Sequence, residues 1–145
     1  MKKTICAAVL LLAMLLSLAA CSGPSASQTA TSLIDFGKKY IYFEDSGTSD
    51  KFIVFHPDHT GYCENYHVGD SYTRSARVNF VWREASDAAI YLFKTETIYH
   101  EDHTSPYPPV LPAGPLYFSE EFFVNRDSLV CYIKEGTELE KLLAD

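Results

Sequence analysis

Residues 77–84, Arg-Val-Asn-Phe-Val-Trp-Arg-Glu, place Val78, Phe80 and Trp82 on one side of an extended chain and Arg77, Asn79 and Arg83 on the other. A period of two is what a half-buried antiparallel strand with one apolar face requires, and only Val81 departs from it. The same texture runs through the rest of the chain. All ten tyrosines, all nine phenylalanines and the single tryptophan lie beyond residue 33, in short runs punctuated by Gly, Pro, Asp and Asn. Aromatic and β-branched side chains fit the pleated surface of a sheet better than a helix. The fold class read from this pattern is all-β.

The run boundaries define expected strands at residues 40–43, 51–56, 62–67, 77–84 and 89–99. In the last of these Tyr91, Phe93, Thr95, Thr97 and Tyr99 would share a face. Residues 118–125 and 128–133 read as a hairpin around Arg126-Asp127. Turns fall at residues 45–47, 57–61, 68–71 and 86–87, each rich in the residues that turns favour. Residues 105–115, SPYPPVLPAGP, hold five of the seven prolines. That density excludes helix and central strand and favours an extended loop, expected to cover a sheet edge or barrel end. At the C-terminus Thr137 can cap a short helix with Glu138 and Glu140 in its first turn and leucines at 139, 142 and 143. The expected architecture of residues 33–145 is a small antiparallel barrel or sandwich of seven to eight strands with a short C-terminal helix. Closure is favoured because it removes strand edges.

Residues 1–20 have a different character. Lys2 and Lys3 precede an apolar stretch over residues 5–18, shorter than the roughly 20 residues a spanning helix needs but suited to a secretory signal. The stretch ends in Leu18-Ala19-Ala20-Cys21, a leucine and two small residues followed by cysteine. This resembles the lipobox of bacterial lipoproteins. The resemblance implies cleavage between Ala20 and Cys21, acylation of Cys21 on its sulfur with palmitate-type chains, and a protein held at the membrane by lipid rather than by a transmembrane helix. Ser22 is not the aspartate of an inner-membrane retention signal, so cell membrane and outer membrane both stand. Residues 21–32 are small and polar and read as a flexible leash.

Cleavage after residue 20 removes two lysines and no acids, taking the formal charge from −7 to −9. An acidic surface without a Lys/Arg run argues against nucleic acid as a partner.

Phe55, Asp58, Thr60, Gly61 and Tyr62 form an aromatic–turn–aromatic hairpin, followed later by the Trp82 strand. This is similar to the hairpin of small lipocalin-like bacterial lipoproteins, with His59 where a turn glycine is common. The resemblance implies a barrel at the membrane surface and no settled catalytic function.

The chemistry-bearing residues are few. His56/His59 and His100/His103 are two His-x-x-His pairs that could offer imidazoles to a transition metal. Neither pair lies on an expected helix, as the zincin pattern demands, and the turn residues around His59 already account for local polarity. No metal site, cofactor or catalytic residue is assigned. A nucleophile elbow and a Gly-rich phosphate loop are both absent from the sequence. Cys63 and Cys131 remain in the mature chain, in a compartment where bridging occurs. Bridged, they would close a loop of about 69 residues, worth about 4 kcal/mol in the chain-entropy model. Unbridged, Cys131 would pack as a small hydrophobe between Leu129 and Ile133. The functional expectation is a membrane-anchored, extracytoplasmic, non-enzymatic module that binds an envelope protein or a small amphipathic ligand. The alternatives are a filled docking barrel and a divalent-metal-binding lipoprotein that uses the histidine pairs.

Overall fold

The structure is a computed structural model and describes residues 29–44, 47–69, 72–85, 88–99, 109–125, 127–128 and 130–144. Residues 1–28, with Ala20 and Cys21, lie outside the described residues, as do His100, His103 and residues 105–108 of the proline-rich stretch.

Eight strands close into an antiparallel barrel in sequence order. They are β1 (Lys39–Glu44), β2 (Gly47–Phe55), β3 (Thr60–Gly69), β4 (Tyr72–Glu84), β5 (Ile90–Tyr99), β6 (Leu116–Phe118), β7 (Phe122–Asn125) and β8 (Val130–Lys134). β8 pairs with β1 through Tyr40↔Lys134 to Phe43↔Cys131, which closes the ring. A short helix α1 (Ala30–Leu33) precedes the barrel and α2 (Glu138–Ala144) follows it. The expected barrel and C-terminal helix are both present.

Alternation sets what lies inside. Val78, Phe80 and Trp82 are buried, as are Tyr40, Ile53, Phe55, Phe123 and Tyr132. Phe55 sits among five rings, with centroids at 5.9 Å from Tyr40, 5.6 Å from Phe80, 6.4 Å from Trp82, 5.3 Å from Phe118 and 5.8 Å from Phe123. All five contacts are edge-on or close to it, the arrangement that ring quadrupoles favour. Gly61 makes room for this cluster. A Cβ there would lie 2.5 Å from the end of the Phe80 ring and from the Val54 carbonyl oxygen.

Three expectations differ from the structure. Residues 118–125 are not one strand: Ser119 N–H donates to Phe122 O at 2.8 Å, a turn that separates β6 from β7. In β5 the shared face of Tyr91, Phe93, Thr95, Thr97 and Tyr99 is broken. Phe93 pairs with outward Val81, whereas Thr97 pairs with inward Val78, because an irregularity in register at Asn79/Phe80 adds one residue to β5. Such a bulge reverses the face of everything beyond it. The leash is also shorter than composition indicates. Ala30 and Ile34 are buried, so the chain joins the fold before residue 33.

The strands are uneven in their pairing. β3 and β4 pair from Thr60↔Val81 out to Gly69↔Tyr72, whereas β5 meets β6 at a single pair, Ile90↔Leu116, among the described residues. Closure therefore rests on a narrow seam beside one end of the barrel.

Candidate functional site

The end of the barrel that carries α1 is shut by its own residues. The Glu84 carboxylate accepts the Ala30 N–H at 2.6 Å and the Thr31 hydroxyl at 2.5 Å. Phe36 stacks on Trp82 at 6.1 Å, and Gly37 N–H donates to Phe55 O at 2.9 Å. From the other side the turn over residues 56–60 completes the plug. Asp58 Oδ1 accepts from the Thr60 N–H at 3.0 Å and the Thr60 hydroxyl at 2.6 Å. These Thr60 hydrogen bonds, the hydroxyl first, hold the Asp58 carboxyl below its ordinary range.

His59 closes that turn in the left-handed region, φ 66°, which histidine adopts more readily than most residues. Its ring lies 4.2 Å from the Trp82 ring, 10° from parallel. The Trp82 indole N–H reaches back to the carbonyls of His56 at 3.2 Å and Thr60 at 3.1 Å. His56 instead tilts over Tyr62 at 5.8 Å. The two imidazoles serve different rings and do not converge. No group of three or more His, Cys, Asp or Glu that could hold a metal occurs among the described residues.

Toward the opposite end the interior becomes more polar. The Tyr132 ring lies against Phe123 at 4.7 Å and Tyr42 at 5.2 Å. The Lys51 ammonium stands 5.0 Å from the Tyr42 ring and 5.7 Å from the Tyr132 ring. Burial pushes the Tyr132 hydroxyl above its ordinary range, with Cys63 and Tyr42 adding to the shift. The Tyr132 and Thr97 hydroxyl oxygens are buried without a hydrogen-bond partner, an uncommon condition for polar atoms in an interior. Burial also pushes the Cys63 thiol up to about 12, against a smaller opposing effect from Lys51. A thiol so displaced stays protonated at neutral pH and is a poor nucleophile.

Cys63 and Cys131 are both buried and not joined to each other. Cys63 belongs to the interior cluster with Tyr132, whereas Cys131, next to Tyr132 along β8, has the opposite parity. A bridge would have to cross the wall of the barrel.

The outer wall carries a ladder of cations and rings. Lys39 lies over Phe52 at 4.8 Å, Phe52 meets Tyr62 edge-on at 6.2 Å, and the Arg77 guanidinium covers Tyr62 at 4.1 Å. Arg77 also pairs with Glu64 at 2.8 Å. β5 contrasts with this covered wall: residues 93–96 are exposed in succession, with Phe93 50% and Tyr99 53% accessible.

No protein-family model, curated protein or solved structure matches this chain.

Of the residues singled out from sequence, the structure brings Phe55, Gly61 and Trp82 together in the plug and separates the two cysteines. It adds Glu84, Lys51 and Tyr132. Glu84 ends a strand like many surface acids, and nothing in its neighbours along the chain marks its partners 53 and 54 residues away.

Proposed function

We propose that the chain is a lipid-anchored, extracytoplasmic, non-enzymatic lipoprotein whose barrel is a filled scaffold that docks another envelope protein. Support for the anchor is the Leu18-Ala19-Ala20-Cys21 pattern at the end of an apolar run. The barrel agrees with the resemblance to lipocalin-like lipoproteins, and the tether at Cys21 holds it at the cell or outer membrane without a spanning helix.

One observation carries the docking reading. The space that a ligand-binding barrel keeps open is occupied around Phe55 by the rings of Tyr40, Phe80, Trp82, Phe118 and Phe123. Recognition then falls to the outer surface, where β5 meets β6 only at Ile90↔Leu116 among the described residues and carries exposed Phe93. A bound partner contributes an extended segment that adds main-chain hydrogen bonds along β5, with an apolar side chain against Phe93. Lys94 and Glu96 deter indiscriminate pairing at this edge.

A photo-crosslinking side chain at Phe93 in the full lipidated protein tests this reading in intact cells. A discrete protein adduct at Phe93, missing when the same group replaces Tyr62, is the expected result. Adducts only to lipid, or equal adducts at both positions, count against it.

The unpartnered Tyr132 and Thr97 hydroxyls favour a second reading, in which a small amphipathic molecule enters the more polar end and offers them a polar atom. Native mass spectrometry of the protein extracted from membranes distinguishes the two readings, since a retained small molecule lost in Tyr132→Phe supports the second.

A further inference from the structure

We infer that the barrel stands on the membrane in one orientation, with the α1 plug facing the lipid and the β3–β4 hairpin pointing away. The inference rests on the lipid-anchor reading of Cys21 and adds geometry to it.

Glu84 holds both Ala30 and Thr31, and Ala30 is buried, so the tethered chain becomes part of the fold at residue 30. That point belongs to the end formed by the 56–60 turn, the start of β5 and the β6–β7 turn, because β1 begins there and β4 ends there. β4 runs 13 residues from Tyr72 to Glu84, and Gly69↔Tyr72 marks the far tip of its hairpin.

Lengths decide between the orientations. Eight residues, 21–28, separate the start of the mature chain from Thr29, and such a stretch spans about 29 Å at most and about 16 Å on average as a flexible coil. A 13-residue strand is about 43 Å long, or about 33 Å along a barrel axis at the usual tilt. With the hairpin tip against the membrane, the leash would need more than its full extension. With the plug toward the membrane it needs almost none.

Charge disfavours a third arrangement in which the barrel lies on its side. The mature domain is strongly acidic, and its exposed acids are repelled by anionic headgroups within a Debye length. Asp58, Glu120 and Glu138 at the plug end keep that end from embedding in the headgroups, and the short leash, not charge, holds it near them.

Trp82, the only tryptophan, lies at the plug end and reports the orientation. The lipidated protein is reconstituted in phosphatidylethanolamine–phosphatidylglycerol vesicles with dansyl headgroups, and energy transfer from tryptophan is measured. Two companions are the Trp82→Phe/Tyr99→Trp variant, which moves the donor away from the plug toward the far end, and a chain with twenty Gly/Ser residues inserted after Ser25. Transfer from Trp82 should exceed that from position 99 by about twofold, since residue 99 pairs with Ala76, about 20 Å further along the strand and about 15 Å further along the barrel axis. The insertion, which leaves the domain unchanged, should lower transfer from Trp82 because the average leash length rises to about 29 Å. Equal or reversed transfer from the two positions, or no change on insertion, overturns the orientation while leaving the anchor intact. Protein that fails to partition with the vesicles, or that behaves like Cys21→Ser, overturns the anchor and the orientation with it.

Discussion

His59 lies flat on Trp82 with ring centroids 4.2 Å apart, and the His59 carbonyl accepts the Trp82 backbone N–H at 2.8 Å. One turn residue thus covers the indole with its side chain and ties the end of β4 with its backbone. The backbone at this position is left-handed, so the stack offsets a conformational cost instead of adding to an unstrained turn.

The two effects separate by substitution. His59→Ala keeps the positive φ and loses the stack, and is expected to destabilise by about 1–2 kcal/mol. His59→Gly relieves the backbone and is expected to cost less than the alanine variant. Urea unfolding followed by Trp82 emission measures both, and equal stability of wild type and His59→Ala would show that the stack contributes nothing.

Gly61 is a position where packing, not turn conformation, demands glycine. An added Cβ would be 2.5 Å from both Phe80 and the Val54 carbonyl, and the carbonyl belongs to a paired strand that cannot yield. Gly61→Ala is expected to cost about 3 kcal/mol or more. A thermal melt that moves by only a degree or two would mean that β3 and Phe80 part more easily than this geometry allows.

The strand pattern was readable because its information is local. Val78, Phe80 and Trp82 alternate with polar residues, and burial follows that alternation directly. Two further features were hidden for opposite reasons. The extra residue in β5 leaves no clear mark on the sequence, since Tyr91-Leu92-Phe93 before it and Ile98-Tyr99 after it put apolar residues on both faces. The Glu84 clamp depends on chain closure, which brings residues 30 and 31 beside residue 84 only once the barrel exists. The histidines misdirect in a third way. His56 and His59 are close in sequence, yet a tight turn points one ring at Tyr62 and the other at Trp82.

Glu84 gives a prediction of its own. Its carboxylate is the acceptor for a backbone N–H and a hydroxyl at the start of the fold, so Glu84→Ala leaves both donors without it. The expected loss is about 1–3 kcal/mol, the cost of leaving such groups unsatisfied, with Glu84→Gln recovering part of it. Proteolysis should show the specific consequence: cleavage near residues 29–34 accelerates in Glu84→Ala under conditions where the barrel stays folded. Uniform digestion of the whole domain would instead indicate that α1 is not a separable plug.

The buried Cys63 and Tyr132 make the fold sensitive to alkali. Burial raises both groups, so the folded chain keeps protons that the unfolded chain releases. The Cys63 thiol ionises near 9.0 when exposed and near about 12 in the barrel. Its contribution is therefore fully present below pH 9 and declines as pH rises through the interval between, by about 1.4 kcal/mol per pH unit. Tyr132 adds a second decline of the same sign that begins near pH 10. Tyr132→Phe removes a hydroxyl that has no partner, so it should be neutral or stabilising at pH 7 and should flatten the loss above pH 10. Urea midpoints of wild type, Cys63→Ala and Tyr132→Phe at pH 7, about 9 and about 10.5 test both statements. A wild-type midpoint unchanged up to the highest pH would mean that neither group is shielded as burial requires. A clear loss of stability in Tyr132→Phe at pH 7 would mean that its hydroxyl has a partner in solution, which would favour an occupant at the polar end of the barrel.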